Sequence, residues 1–344
     1  MIAKLLMGDG RVADREAARR VLAEISAAEL AEALRAKPAA EILALYDPSG
    51  LGGMYAAPEL IRDGAVLPDA DPLEAFAQGR FNAVPTILGM NRDEAKLFML
   101  FSSPRVTRVF GLPLWLNAPD LYDASADYST RMWKLRGVDA PARAMRASGA
   151  PGVYAYRFDW DEEPDLLGLD VSRMLGAAHG LEVPFVFGWL SLGAATRLVF
   201  DPDLREQNEA LSRAMMSYWG QHAQAGSPGR GRGGELPEWP AWGLAEGDPK
   251  FLIFDSQDGG GLRTSPRDVT REGILADVAR DPRLPTPRDR CEVYALLTQR
   301  AESLSADEYA RVENGACAPY PLGIGTSGGR APVRRRTEGG AGAG

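Results

Sequence analysis

The stretch VPTILGMNRDEAKLF, residues 84–98, passes from a β-branched apolar run into a charged turn and on into helix-forming sequence. Val84 to Leu88 reads as a strand, and the residues after Gly89 read as the start of a helix. Asp93 and Glu94 therefore stand at the carboxyl end of a strand, where ligand sites of open α/β sheets gather. Taken alone, the run also fits an exposed helix N-terminus whose acids suit the helix dipole. The alternation recurs along the chain. VYAYRF (153–158) and KFLIF (250–254) read as two further strands. Residues 12–45 read as two helices, the second opened by a capping box, Ser26 with Glu29. Helical segments are expected within Leu112–Arg146, over Asp203–Gln224 up to the stop Gly226-Ser227-Pro228, and over 286–302. Strands alternating with helices predict an α/β fold, a sheet with helices on its faces.

Composition narrows what such a fold could do. The chain has 344 residues, 45% of them hydrophobic, enough for a substantial core. Its 39 basic and 47 acidic residues leave a formal charge of -8. That balance disfavours a broad cationic surface for nucleic acid or phospholipid. The Arg- and Gly-rich stretches Arg230–Gly234 and Arg334–Arg336 are short and read as solvated turn and tail. Cys291 and Cys317 are too few for a disulfide framework and leave one optional pairing open. Two histidines exclude a His-rich metal centre, and the run Asp159, Asp161, Glu162, Glu163, Asp165 lacks calcium-loop spacing and reads as a solvated loop. The first residues lack a signal-peptide core, and no segment approaches the roughly 18 apolar residues of a membrane span. A soluble, cytoplasmic protein is expected.

One of the two histidines stands in GAAHGLEVPFVFG, residues 176–188. Small neighbours leave the His179 ring open on a loop, and a neutral imidazole can take and return a proton near pH 7. A satisfied structural histidine is the competing reading. His222, on a helix rich in aromatic residues, reads as half-buried and structural. A catalytic histidine needs a carboxylate on its second nitrogen, and Asp93 and Glu94 cannot both reach one imidazole.

Taken together, PTILGMNRDEAKLF and GAAHGLEVPFVFG resemble the acid and histidine segments of type B carboxylesterases, the α/β-hydrolases that include cholinesterases and bacterial para-nitrobenzyl-type esterases. VYAYRFDWDEEP, LSRAMMSYWGQHAQAGSPGRGRGGELPEWPAW and KFLIFD are similar to further segments of that family in the same order. The likeness runs from the first helices to about Cys291 and continues more weakly beyond. It implies the C-terminal part of an α/β-hydrolase fold over residues 1–321, with a central, mostly parallel sheet flanked by helices. Residues 322–344 are expected to form a disordered Gly- and Arg-rich tail. The resemblance makes Glu94 the triad acid and His179 the base, framed by Asn91 and Asp93, with Glu182 a loop neighbour without catalytic role. Ala95 departs from the glycine the family often has there. No metal or organic cofactor is implied; the substrate is a small ester, with no nucleic acid or membrane partner.

The family's serine lies in a G-x-S-x-G elbow before the acid, and no such elbow precedes Glu94. Ser49 has neither a strand before it nor a helix after it. Gly325-Thr326-Ser327-Gly328-Gly329 matches the pattern but follows the histidine and leads into the tail. The expectation is a part of an esterase that lacks its nucleophile region and is completed by an N-terminal half. A catalytically inactive, cholinesterase-like binding module is the alternative. Phe98, Phe101, Phe110, Trp115, Phe185, Phe187 and Trp189 suggest a hydrophobic gorge, and core packing accounts for them as well.

Overall fold

Pro85 has no N–H to give to a ladder, so the first strand, β1, runs from Thr86 to Asn91, two residues later than the apolar run begins. The Thr86 N–H donates to Gly152 O at 2.7 Å, which starts the pairing of β1 with a parallel neighbour. The computed structural model describes residues 2–45, 62–166, 168–298, 304–320 and 322. Ser49, Ser327, Arg334–Arg336 and the tail from 323 onward lie outside the described residues.

The other strands are β2 (Val106–Val109), β3 (Leu112–Leu116), β4 (Val153–Phe158), β5 (Phe251–Phe254) and β6 (Arg263–Ser265). One sheet has the order β1-β4-β5-β6; β1, β4 and β5 are parallel and β6 is antiparallel to β5. The expected mostly parallel sheet flanked by helices is therefore present. Alternation along β4 sends Tyr154, Tyr156 and Phe158 to one face, and Val153 and Ala155 to the other. Both faces are covered, as parallel strands require. The first cluster is aromatic, with Trp160, Phe185, Tyr218, Trp239 and Phe254 buried. The second holds Met90, Val138, Met145, Trp242 and Ile253. Among the described residues, no strand pairs with the outer edge of β1.

The register pairs Gly89 with Tyr156, and a Cβ on Gly89 would stand 1.9 Å from the Tyr156 ring. Only glycine lets that ring lie across β1 and meet Trp219, Trp239 and Phe254, with centroids 5.1 to 6.4 Å away.

Several expectations change. The helical segments expected within Leu112–Arg146 are Pro119–Lys134 and Ala140–Ala147, and before them residues 112–116 form β3 of a hairpin with β2, at whose turn Phe110 and Gly111 both take positive φ, 52° and 82°. The acidic run after β4 is not a solvated loop. Asp159 and Glu163 are buried, Asp159 accepts both Arg157 nitrogens at 2.6 Å, and Asp161 accepts from Arg92 at 2.5 Å. The helix expected over 203–224 is Arg205–Ala225, closed by left-handed Gly226. The 286–302 segment is helical over Pro287–Thr298, and residues 299–303 fall outside the description. Cys291 and Cys317 are joined, with Cα atoms 5.3 Å apart, and both are fully buried.

The described residues divide into two compact units, Met1–Leu67 and Pro68–Gly344. The first contains the helices Ile2–Gly8, Arg15–Glu24, Ala27–Arg35 and Ala39–Leu43, so three helices stand within residues 12–45, where two are expected. Its capping box is formed as read: Ser26 Oγ accepts from the Glu29 N–H, and Glu29 accepts from the Ser26 N–H. No helix among the described residues is long and apolar enough to cross a membrane.

The Gly89 packing gives a direct test. Gly89→Ala should destabilise the larger unit by about 1–3 kcal/mol through overpacking, read as a lower urea midpoint with an unchanged slope.

Candidate active site

β1 and β4 are parallel, so their carboxyl ends meet at the same edge, where the Arg92 N–H donates to Phe158 O at 2.8 Å. Immediately after β1 the chain turns, and Glu94 becomes the first residue of the helix Glu94–Ser102. The 176–180 loop comes to this turn through two hydrogen bonds. The Asp93 N–H donates to Ala177 O at 3.0 Å, and the Ala177 N–H donates to Asp93 Oδ2 at 3.2 Å. Gly176, at φ 54°, lies so close that a Cβ there would sit 2.7 Å from Asp93 Oδ2.

The result is one carboxylate on the imidazole. His179 Nδ1 lies 2.6 Å from Glu94 Oε2, and Asp93 points away to Arg92 (2.9 Å), Lys96 (3.3 Å) and the Ala177 amide. Glu94 is 6% exposed, and burial pushes its carboxyl above the usual carboxylate range. The Asn91 N–H, donating to Oε1 at 2.9 Å, and His179 draw it back down, while nearby Glu182 pushes it up again. With Oε2 as acceptor the imidazole proton resides on Nδ1, so the lone pair on Nε2 is the one free to act. The His179 side chain is 40% exposed.

Asn91 ties the two segments from below. Its Nδ2 donates to Ala178 O at 2.6 Å and to Glu182 Oε2 at 2.5 Å, and its buried Oδ1 has no partner. Glu182 is thus not a loop neighbour but the first residue of the helix Glu182–Phe187, bonded to Asn91. Ala95 is buried, and its N–H donates to Thr130 Oγ1 at 3.1 Å.

Two aromatic rings flank the imidazole: Phe98 and Trp133, each with its centroid 5.3 Å from that of His179. Rings at that distance pack against the imidazole and restrict its plane. Phe98 was among the expected gorge residues; Trp133 was not. The remaining gorge candidates are not gathered here. Phe185 is core, Phe110 at the hairpin turn is fully exposed, Trp115 and Phe101 are exposed, and Phe187 and Trp189 are 76% and 74% exposed. His222 is half-buried on its helix with the Tyr154 ring edge-on at 5.8 Å, and burial lowers its pKa.

The carboxylesterase family model matches residues 117–266, which include the histidine segment and β4 and β5. Over that stretch the chain is similar to the carboxylesterase family. It is 29% identical over 291 residues to carboxylesterase 5A of Felis catus, covering 76% of this chain and 50% of that protein. It is 29% identical over 230 residues to para-nitrobenzyl esterase of Bacillus subtilis (strain 168), covering 64% and 43%. A solved structure titled PNB esterase is 22% identical, covers 77% of this chain and 50% of its own, and superposes with a TM-score of 0.43. The chain therefore spans about half the length of the curated relatives it matches. Among the described residues, no group of three or more His, Cys, Asp and Glu side chains could hold a metal ion.

Asn91 provides the test of this site's construction. Asn91→Ala leaves the Ala178 carbonyl and Glu182 without their donor, and should cost about 1–3 kcal/mol. Asn91→Asp sets a third carboxylate against Glu94 and Glu182, and should cost about 3–5 kcal/mol. Denaturant melts at neutral pH should rank wild type above Asn91→Ala and Asn91→Ala above Asn91→Asp.

Proposed function

We propose that this chain supplies the acid and the general base of a carboxylic ester hydrolase that works by a serine mechanism. The observation behind this reading is the 2.6 Å contact between His179 Nδ1 and buried Glu94, with Nε2 left open. Similarity to carboxylesterase 5A and para-nitrobenzyl esterase supports an ester as the substrate class.

In the proposed cycle the hydroxyl oxygen of a serine bonds to the ester carbonyl carbon while its proton passes to His179 Nε2. Glu94 stabilises the imidazolium so formed. Collapse of the tetrahedral intermediate breaks the carbon–alkoxide bond, and Nε2 returns its proton to the leaving alcohol. Water then repeats the sequence on the acyl-serine. The serine and the oxyanion donors are assigned to a complementing N-terminal half, in keeping with the chain's span of half its relatives' length. Without those donors each missing hydrogen bond would cost about 3–4 kcal/mol in the transition state, so the chain alone is expected to be inactive. A binding module would have no use for a buried carboxylate held on an open imidazole, which favours the hydrolase reading.

The purified chain should neither turn over a short-chain p-nitrophenyl ester nor take a fluorophosphonate label. Co-expressed with a half bearing a G-x-S-x-G elbow, it should do both. His179→Ala should then lower kcat about 10⁶-fold and Glu94→Gln about 10⁴-fold. Label and His179-dependent turnover in the chain alone would place the nucleophile within it, with Ser49 and Ser327 the first to map.

A further inference from the structure

Trp133 packs on His179, and the same side chain lines an open cleft of about 930 Å³ that the proposed chemistry does not use. Three helical segments line the cleft: Pro72–Ala77, the run that joins Pro119–Lys134 to Ala140–Ala147, and the amino end of Arg271–Val278. Its apolar lining includes Leu73, Phe76, Trp133 and Leu135, and Leu73 is 41% exposed. A volume of this size takes a small molecule, with apolar walls for its body and a few polar groups to orient it.

The joining run is wound unusually. Leu135–Asp139 forms a π turn, in which the Ala140 N–H donates to Leu135 O, five residues back. Pro141 has no N–H, so Gly137 O cannot receive the α-helical bond from that position. The wider turn carries Arg136 and Gly137 outward, and both are exposed in the lining of the cleft. Such turns are concentrated at functional sites.

The charges in the lining select the ligand. Arg143 donates to Asp268 at 2.5 Å, Arg271 donates to Glu308 at 2.6 Å, and Asp71 accepts the Leu73 N–H at 2.9 Å. Arg136 and Glu272, one of each sign, are exposed and have no partner among the described residues. Arg136 can hold a phosphate or carboxylate through two parallel hydrogen bonds. Glu272 can pair with a cation, and the aromatic faces of Phe76 and Trp133 suit a quaternary ammonium as well as an alkyl chain. We propose that this cleft binds a single-chain amphiphile with a zwitterionic head, its anionic group on Arg136, its cationic group on Glu272 and its chain over Phe76 and Trp133, and that the bound chain shifts the Trp133 ring against His179. The last step rests on His179 being the base; the binding does not.

An NMR titration of the purified chain with decylphosphocholine, with decanol as the uncharged control, tests both parts. Trp133→Phe identifies the Trp133 indole signal, and with two histidines in the chain the His179 signal is identified by His179→Ala. Decylphosphocholine should saturate the site and bind about tenfold more tightly than decanol, since two solvent-exposed pairs contribute about threefold each. Arg136→Ala and Glu272→Gln should each remove about threefold, with unchanged thermal melts, and added salt should shrink the preference. The Trp133 and His179 signals should move together with one saturation curve. Phosphatidylcholine vesicles should compete for the site if the head belongs to a bilayer lipid, and should leave binding unchanged if it belongs to a free molecule. Equal affinity for decylphosphocholine and decanol, a preference that survives both substitutions, or saturation that leaves Trp133 unmoved overturns the site. Movement of Trp133 without His179 overturns the link to the base. Should a variant not fold, the comparison with decanol on the wild type decides. None of these readouts uses ester turnover, so a failure of the hydrolase reading would be seen separately.

Discussion

The reciprocal bond between Asp93 and Ala177 is the constraint on which the rest of the site depends. It joins two segments 84 residues apart in sequence, with one backbone hydrogen bond and one from side chain to backbone. Parallel pairing makes it possible. Because β1 and β4 run the same way in register, the turn after one strand and the loop after the other open at a single edge, and the histidine loop is laid over both. The clasp also decides which acid meets the imidazole. Asp93 is occupied by the Ala177 amide and two cations, so Glu94, one residue further and already turned by the helix, is the carboxylate left to His179.

Much of this was legible in the sequence because the signals are local. A β-branched run, a charged turn and helix-forming residues announce β1 and its helix. Two histidines in 344 residues, one among small residues, leave few candidates for a base. Other features depend on distance in space. Nothing in the composition of residues 119–134 says which aromatic side chain will turn toward residue 179, so Trp133 was not foreseen. The acidic run after β4 reads as solvated because, beyond the adjacent Arg157, its cations come from elsewhere: Arg92 from the turn after β1, and Arg263 from β6. The gorge expectation erred the opposite way. Aromatic residues close to the motifs in sequence were expected near them in space, yet Phe110 sits on a hairpin tip and Phe187 on the outer side of a short helix.

Support for the site comes from a crowded aromatic layer. Trp239 donates its indole N–H to Ala155 O at 3.0 Å and meets Tyr218, Trp219 and Phe254 within 5.6 Å. Rings packed at that density move only together. The strand ends that display Asn91 and Phe158 are therefore held by a nearly incompressible slab, and their side chains can be placed within the narrow tolerance that proton transfer demands.

The Cys291–Cys317 bond has a consequence for how the protein would meet a reductant. Thiol–disulfide exchange needs a thiolate to reach a sulfur in line with the bond, and both cysteines are sealed from solvent between the helix Pro287–Thr298 and the turn that follows Ala306–Gly315. A reducing medium acts on such a bond only when that end of the chain opens. Its lifetime is then governed by how often the local structure breathes, and the ambient redox potential sets whether the bond forms while the chain is folding rather than whether it survives afterwards.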